Sequence, residues 1–279
     1  MSETTKKQAL VKLSTFRTKI GYPDKWKDYS KLEIKEDSYY NNILRANYFD
    51  ATYYINQIGK KVDKEKWDIN PQMVNAFYNP LANEIIFPAG ILQPPFFNKD
   101  ADDAINYGAM GAVIGHEVSH GFDNSGRQYD EKGNIRDWWT KEDNDKFTAK
   151  ANALAKQYDN FVVVDTFRVN GQLTLGEDIG DLGGLTVSLT AFKKTEQFKK
   201  NEKIDGFTPL QRFFLSWAQV WETNQRDESL KLQMKTNVHP PSKPRVILPL
   251  RNMPDFFNAF DVKPGDAMRN ADKDVVKIW

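Results

Sequence analysis

Hydrophobic residues recur at helical spacing along much of the chain. Near the N-terminus, four apolar residues lie three or four positions apart, which predicts a charged amphipathic helix over Ser2–Ile20. These residues are Leu10, Leu13, Phe16 and Ile20. Further helices are predicted over Tyr39–Gly59, Asp102–Gly121, Trp138–Tyr158, Glu177–Lys199, Pro209–Arg226 and Pro254–Phe260. The stretch that begins at His239 is rich in proline and is otherwise expected to be irregular.

Short β-prone runs lie between the predicted helices. Gln72–Tyr78 and Glu84–Pro88 are separated by the turn signal Asn79-Pro80, so they are expected to form a hairpin or strand pair. Phe161–Val164 and Gln172–Leu175 are two further candidates for short strands. The pattern predicts an α+β fold that is predominantly helical with a small sheet, in one domain over residues 1–279.

Composition and charge narrow the classes of function. Hydrophobic residues make up 40% of the 279 residues and aromatic residues 13%, which is enough for a substantial core. The net charge of +1 argues against a general role at nucleic acids or membrane surfaces. The sequence shows neither a signal peptide nor a membrane-spanning run. It has no cysteine, which fits a reducing compartment.

The predicted helix Asp102–Gly121 carries the candidate chemistry. His116 and His120 are four positions apart, so a helix places them on one face, where two neutral imidazoles can bind one Zn²⁺. Glu117 lies between them and could accept a proton from the water that such an ion activates. The alternative is a pair of histidines that meet on a helix by chance, because short motifs have false positives. Gly115 suggests that another element approaches this helix closely.

A catalytic zinc normally has three protein ligands, so a third must come from elsewhere. The best candidate is the acidic segment Gly176–Asp181, in which Glu177 and Asp181 are four positions apart. One carboxylate would bind the ion, and the other would hydrogen-bond a ligand imidazole. The alternative is that acidic residues in a first helical turn only complement the helix dipole.

Four separated motifs resemble the neprilysin family (M13) of zinc endopeptidases, and within it the endopeptidase O enzymes of lactic acid bacteria. The first two are Gly115–Asp123, GHEVSHGFD, and Gly176–Gly184, GEDIGDLGG. The third is Val74–Tyr78, which looks like the substrate-strand motif of the family. The fourth is Asn237–Pro241 together with Arg245. The resemblance implies a thermolysin-like zincin (gluzincin) fold and runs along essentially the whole chain.

The resemblance also implies a role for each matching residue. His116, His120 and Glu177 would be the zinc ligands, and Glu117 would be the base and proton shuttle. Asp123 and Asp181 would orient the ligand histidines. The remaining roles concern the substrate: Asn75 and the backbone of Ala76 would hold the peptide as an added strand, His239 would stabilise the oxyanion, and Arg245 would hydrogen-bond a carbonyl.

A substrate pocket is implied as well. It would accept the side chain just after the scissile bond and would be lined by five apolar residues, which favours a hydrophobic side chain there. These residues are Ile91, Phe96, Val113, Val220 and Trp221. Taken singly, His239 could be an ordinary loop residue, Asn75 a turn cap, Arg245 a surface residue and the apolar residues plain core.

Two departures from the family pattern change the expectations. Family members are longer and have an upstream helical domain that closes over the site, so this chain is expected to be the C-terminal catalytic portion without that lid. Many relatives end in Cys-x-x-Trp, whereas Val276 stands at the cysteine position here, so Trp279 is expected to pack without a disulfide. This favours a cytoplasmic location in a bacterium.

These observations lead to a functional hypothesis with two alternatives. The hypothesis is a zinc-dependent endopeptidase that cleaves oligopeptides on the amino side of hydrophobic residues, with a lid domain or chain as a possible further partner. One alternative is a catalytically impaired, zinc-stabilised fragment that binds peptides or a partner. The other is a metal-dependent enzyme of another reaction type, which the substrate-strand motif and the balanced charge disfavour.

Overall fold

The computed structural model describes residues 1–278, and the packing expected for Trp279 lies outside them. The helices are α1 (Glu3–Ser14), α2 (Tyr39–Ile55), α3 (Asp103–Asn106), α4 (Ala112–His120), α5 (Lys141–Asp159), α6 (Gly171–Phe192), α7 (Glu196–Lys200), α8 (Pro209–Val220), α9 (Asp227–Thr236), α10 (Ser242–Leu250) and α11 (Pro254–Phe260). The strands are β1 (Arg17–Gly21), β2 (Phe77–Asn79), β3 (Glu84–Pro88), β4 (Val162–Val164) and β5 (Phe167–Arg168). The predominantly helical fold with a small sheet is thus confirmed.

The larger sheet has the strand order β1-β3-β2. The predicted pair is present, because β2 runs antiparallel to β3 with Tyr78 opposite Ile85. On the other side, β1 runs parallel to β3 with Thr18 opposite Ile85. Every residue of β3 is buried, whereas β2 forms an edge of the sheet. An edge strand keeps unpaired main-chain groups that another extended chain can bind.

The N-terminal helix is shorter than predicted. It ends at Ser14, and Arg17–Gly21 is a strand instead, because its main chain pairs with β3. The apolar residues Leu10 and Leu13 are exposed, whereas Lys12 between them is completely buried. The prediction failed here because helical spacing alone does not show which face the rest of the protein covers.

The helix predicted over Asp102–Gly121 is present as α3 and α4, joined by a π-helical turn at Tyr107–Gly111. It packs closely against α6. A Cβ atom on Gly115 would lie 2.7 Å from the carbonyl oxygen of Gly184, and one on Gly184 would lie 2.5 Å from the carbonyl oxygen of Ala112. Only residues without a side chain allow this approach, so the glycines bring α4 and α6 together.

Secondary structure in the second half of the chain also differs from the prediction. Gln172–Leu175 is not a strand but the start of α6, whose N-cap Asn170 accepts a hydrogen bond from the Leu173 N–H at 3.1 Å. Phe167–Arg168 pairs with β4 instead. The proline-rich stretch after His239 forms α10, with Pro244 in the first turn, where proline is tolerated, and Pro249 in the last turn.

The main hydrophobic core lies among α5, α6, α8, α10 and α11. Its largest side chains include Trp217, Phe213 and Tyr158, which are almost completely buried. A smaller cluster beside the sheet joins Phe87 of β3 to Val113 of α4. Within residues 1–278, every helix is too short or too polar to cross a lipid bilayer.

Candidate metal centre

Packing of α4 against α6 brings three ligand groups together. One ligand atom from each of His116, His120 and Glu177 lies within 4.8 Å of the other two. The Glu177 carboxylate faces both imidazoles, with Oε2 at 3.3 Å from His116 Nε2 and Oε1 at 3.5 Å from His120 Nε2. Because α6 begins at Gly171, Glu177 lies beyond its first turn. Complementing the helix dipole therefore does not account for this carboxylate.

The three groups fit a zinc ion. Two imidazoles and one carboxylate form a known donor set for catalytic zinc. Two ligand atoms bound to one tetrahedral zinc lie about 3.3 Å apart, given bonds of about 2.0–2.1 Å. The separation of Glu177 Oε2 from His116 Nε2, 3.3 Å, and that of Oε1 from His120 Nε2, 3.5 Å, are close to this value.

Two further carboxylates lie behind the histidines. Asp123 Oδ2 is 2.8 Å from His120 Nδ1, and Asp181 Oδ1 is 2.9 Å from His116 Nδ1. A carboxylate at Nδ1 favours the tautomer that carries its proton there and leaves Nε2 free to bind a metal. Each carboxylate thus lies beside a ligand imidazole, and its role in orienting that imidazole stays a prediction.

Asp181 also forms a buried ion pair with Arg245. The guanidinium donates from Nε to Oδ2 at 2.8 Å and from Nη2 to Oδ1 at 2.7 Å. Nη2 lies 3.1 Å from Glu177 Oε2 as well. Arg245 is only 6% exposed, so the simple interpretation as a surface arginine is wrong. Its main contacts are with carboxylates of the centre, and a hydrogen bond to a substrate carbonyl stays a prediction.

These contacts shift the pKa values of the buried groups. Burial lowers the pKa of His116, but Asp181 and Glu177 outweigh it and raise the pKa to about 10. Burial raises the pKa of Glu177, but His116 and Arg245 outweigh it and hold this pKa well below its usual range. A metal at Nε2 must displace the extra proton of His116, so metal binding is expected to release a proton.

Glu117 occupies a different environment on the same helix. It is 5% exposed, and its Oε2 atom makes no hydrogen bond among the described residues. Burial raises its pKa, partly opposed by the positive charge of the neighbouring histidines. A buried carboxylate with a raised pKa and a free oxygen is suited to accept a proton near neutral pH.

His239 reaches the centre from the loop between α9 and α10. Its Nε2 atom lies 3.3 Å from Glu177 Oε1, although its side chain is 53% exposed. Burial lowers the pKa of His239. Asn237 holds the residue in place, because its Oδ1 accepts the His239 main-chain N–H at 2.9 Å and lies 3.0 Å from Nδ1. Asn237 had no predicted role of its own, although it lies only two positions before His239.

The residues predicted to bind the substrate main chain lie just before the edge strand β2. Asn75 is exposed, and its Oδ1 accepts the N–H of Ala76 at 2.9 Å. β2 itself lies against α4, which carries the histidines. An extended peptide added at this edge would therefore run near the metal centre.

The five predicted pocket residues fall into two hydrophobic clusters that share Phe96. Ile91 and Val113 are buried beside the sheet, and Phe96 is partly buried against them. Val220 belongs to the main core, and Trp221 and Phe96 are partly buried against it. The Arg245 guanidinium carbon lies 4.0 Å from the midpoint of the Trp221 ring. Through this contact the main core extends to the metal centre.

Comparisons with known proteins agree with this geometry. The model of peptidase family M13 matches residues 75–276. Neprilysin-2 of Drosophila melanogaster is 41% identical over 292 residues, which cover 100% of this chain and 38% of that protein. A solved structure of PepO from Lactobacillus rhamnosis covers 100% of this chain and 43% of its own, at 37% identity and a TM-score of 0.91.

A third relative is the zinc metalloprotease Zmp1 of Mycobacterium tuberculosis, solved in complex with an inhibitor. It is 43% identical, has a TM-score of 0.94, and the match covers 100% of this chain and 43% of that chain. The chain thus spans about two fifths of the length of these relatives. The expected family and zincin fold are confirmed, and the chain belongs to peptidase family M13.

Proposed function

We propose that the chain is the catalytic part of a zinc-dependent endopeptidase that cleaves oligopeptides on the amino side of hydrophobic residues. The observation that supports this best is the convergence of His116, His120 and Glu177. Glu117, a buried potential base, lies on the same helix. A preference for a hydrophobic side chain is supported by the apolar character of the five predicted pocket residues.

In this proposal each residue has a separate task. When bound, zinc polarises the peptide carbonyl and activates a water molecule. Glu117 accepts the proton of the attacking water and passes it to the leaving amine. When both ring nitrogens of His239 carry protons, its Nε2 donates a hydrogen bond to the oxygen on which negative charge develops. The edge before β2 orients the peptide main chain.

Removal of the metal tests the proposal directly. The protein is incubated with an internally quenched peptide that contains a central leucine, with and without a chelator, and the fluorescence is followed. We expect cleavage before the leucine, loss of cleavage with the chelator, and recovery when zinc is added back. Equal cleavage with the chelator would contradict a metal mechanism. Peptide binding without cleavage in the zinc-loaded protein would instead support the non-catalytic binding module.

Replacement of His239 tests the proposed oxyanion contact. Loss of one such donor typically lowers kcat by about 10²–10³-fold, so His239→Phe should reduce kcat by this factor with a smaller change in KM. Steady-state kinetics on the same peptide provide the measurement. Val238→Phe adds a similar ring at the neighbouring exposed position and serves as the control. If both variants retain the kcat of the unmodified protein, His239 has no role in the chemical step.

Two further expectations stay proposals. A cytoplasmic location in a bacterium would be tested by fractionation of the cells that produce the protein. A domain or separate chain that covers the site would be tested by comparing the cleavage of a short peptide with that of a folded protein. We expect the protein without such a cover to cut both.

A further inference from the structure

Lys12 is a completely buried lysine on α1. Its ammonium group donates to three main-chain carbonyl oxygens, those of Gly121 at 2.7 Å, Gly126 at 2.7 Å and Tyr129 at 2.8 Å. These contacts use all three of its N–H bonds. The rings of Tyr78 and Phe122 also face the group, at 5.7 and 5.5 Å from Nζ to the ring centres.

The three carbonyl groups belong to the loop that follows the metal helix. Gly121 is the C-cap of α4, where a positive charge is favoured by the helix dipole. Asp123 lies between Gly121 and Gly126, and its Oδ1 accepts the Gly126 N–H at 2.7 Å. Its other oxygen lies 2.8 Å from His120 Nδ1. Lys12 therefore holds the backbone on both sides of the carboxylate that orients a metal ligand.

The main chain of Lys12 is also connected to the edge strand β2. Its carbonyl oxygen accepts a hydrogen bond from Asn83 Nδ2 at 3.0 Å. Asn83 Oδ1 in turn accepts the hydroxyl of Tyr78, a residue of β2, at 2.8 Å. One residue thus links the loop after the metal helix to the strand beside which we expect the substrate.

A purely structural role accounts poorly for this arrangement. Burial of a charged group is costly, and a hydrophobic side chain of similar size often stabilises such a position equally well or better. Burial lowers the pKa of Lys12 to about 8, opposed by attraction to Asp123 and Asp130. The group is thus still mainly charged at neutral pH and can donate to all three carbonyl groups.

We propose that Lys12 is a positioning residue of the metal centre: it fixes the loop from Gly121 to Tyr129 so that Asp123 orients His120 for metal binding. Residue 12 lies outside the range that the family model matches, 75–276. The inference concerns the metal centre on which the proposed function rests, but metal affinity can be measured without any peptidase activity.

The test compares Lys12→Met with Lys7→Met. Both changes replace a lysine of α1 by an uncharged side chain of similar length, and Lys7 is exposed. Loss of a group that orients a metal ligand typically weakens metal binding about 10–100-fold, so Lys12→Met should raise the Kd for zinc by this factor. Lys7→Met should leave it unchanged. Competition with a chromophoric chelator gives the Kd, and circular dichroism checks the fold.

A double-mutant cycle separates positioning from general stability. If Lys12 acts through Asp123, Lys12→Met should change the zinc Kd little in a protein that already carries Asp123→Asn. A folded Lys12→Met variant with an unchanged zinc Kd would overturn the inference, as would fully additive effects of the two changes. Absence of peptidase activity in the unmodified protein would contradict the proposed function alone.

If Lys12→Met does not fold, the inference can be tested by a measurement on the unmodified protein. We expect the Lys12 ammonium protons, observed by NMR, to exchange with water more slowly in the zinc-loaded protein than in the metal-free protein. The ammonium protons of exposed Lys7 should exchange equally fast in both states. Equal exchange for Lys12 in the two states would contradict coupling to the metal centre.

Discussion

Glu117→Gln is expected to lower kcat for a hydrophobic peptide by about 10²–10⁴-fold, the usual contribution of a general base. The amide has the shape of the carboxylate but cannot accept a proton from the attacking water. Glu117 is not one of the three groups that converge on the ion, so the zinc content should stay at one ion per chain. Steady-state kinetics and metal analysis of the same sample measure both quantities.

Two comparison variants make this experiment decisive. Glu142→Gln changes an exposed carboxylate in the first turn of α5 and should leave kcat unchanged. Glu117→Asp keeps the carboxylate but withdraws it by about 1 Å, a displacement that can cost about 10²-fold in rate. If Glu117→Gln cleaved the peptide at a nearly normal rate, Glu117 would not be the base.

Asp181→Ala is expected to destabilise the metal-free protein by about 3–5 kcal/mol, because it removes the bidentate partner of a buried guanidinium, which keeps only its contact with Glu177. Asp181 is completely buried, and Arg245 is 6% exposed. The same change removes the carboxylate that lies 2.9 Å from His116 Nδ1. We therefore also expect a Kd for zinc that is about 10–100-fold higher. Urea unfolding without metal gives the free energy of unfolding, and chelator competition gives the Kd.

Asp255→Ala is the matched control for this loss of an ion pair. Asp255 Oδ1 lies 2.6 Å from Lys193 Nζ, but both side chains are more than one third exposed, at 36% and 38%. Solvent-exposed pairs contribute about 0–1 kcal/mol, so this variant should remain close to the unmodified protein. If the two variants had the same free energy of unfolding, the buried pair would not stabilise the fold as we expect.

Much of the candidate site could be predicted because its key residues lie at short, regular spacings in the sequence. His116 and His120 lie one helical turn apart wherever the segment is helical. Glu177 and Asp181 have the same spacing, and the structure directs one to the imidazoles and the other to His116 Nδ1. The pairing of β2 with β3 also followed from short runs and a turn.

Other features depend on contacts between distant parts of the chain and could not be predicted. The apolar spacing over Ser2–Ile20 favoured one helix, but its last residues, from Arg17 onward, pair with β3 and form a strand. Lys12 looked like an ordinary charged residue, yet its three acceptors lie more than a hundred positions away. Hydrophobic periodicity does not encode such contacts.

The sequence by itself indicated the family through four separated motifs. It also determined the ligand types and the spacing within each ligand pair, because that spacing depends on residues within about one helical turn. Only the tertiary structure decided that Glu177 meets two histidines 57 and 61 positions before it. The reason is the close packing of α4 on α6, which Gly115 and Gly184 allow. The tertiary structure also decided the burial of Arg245 and Lys12, since burial depends on which elements pack together and not on neighbours in the chain.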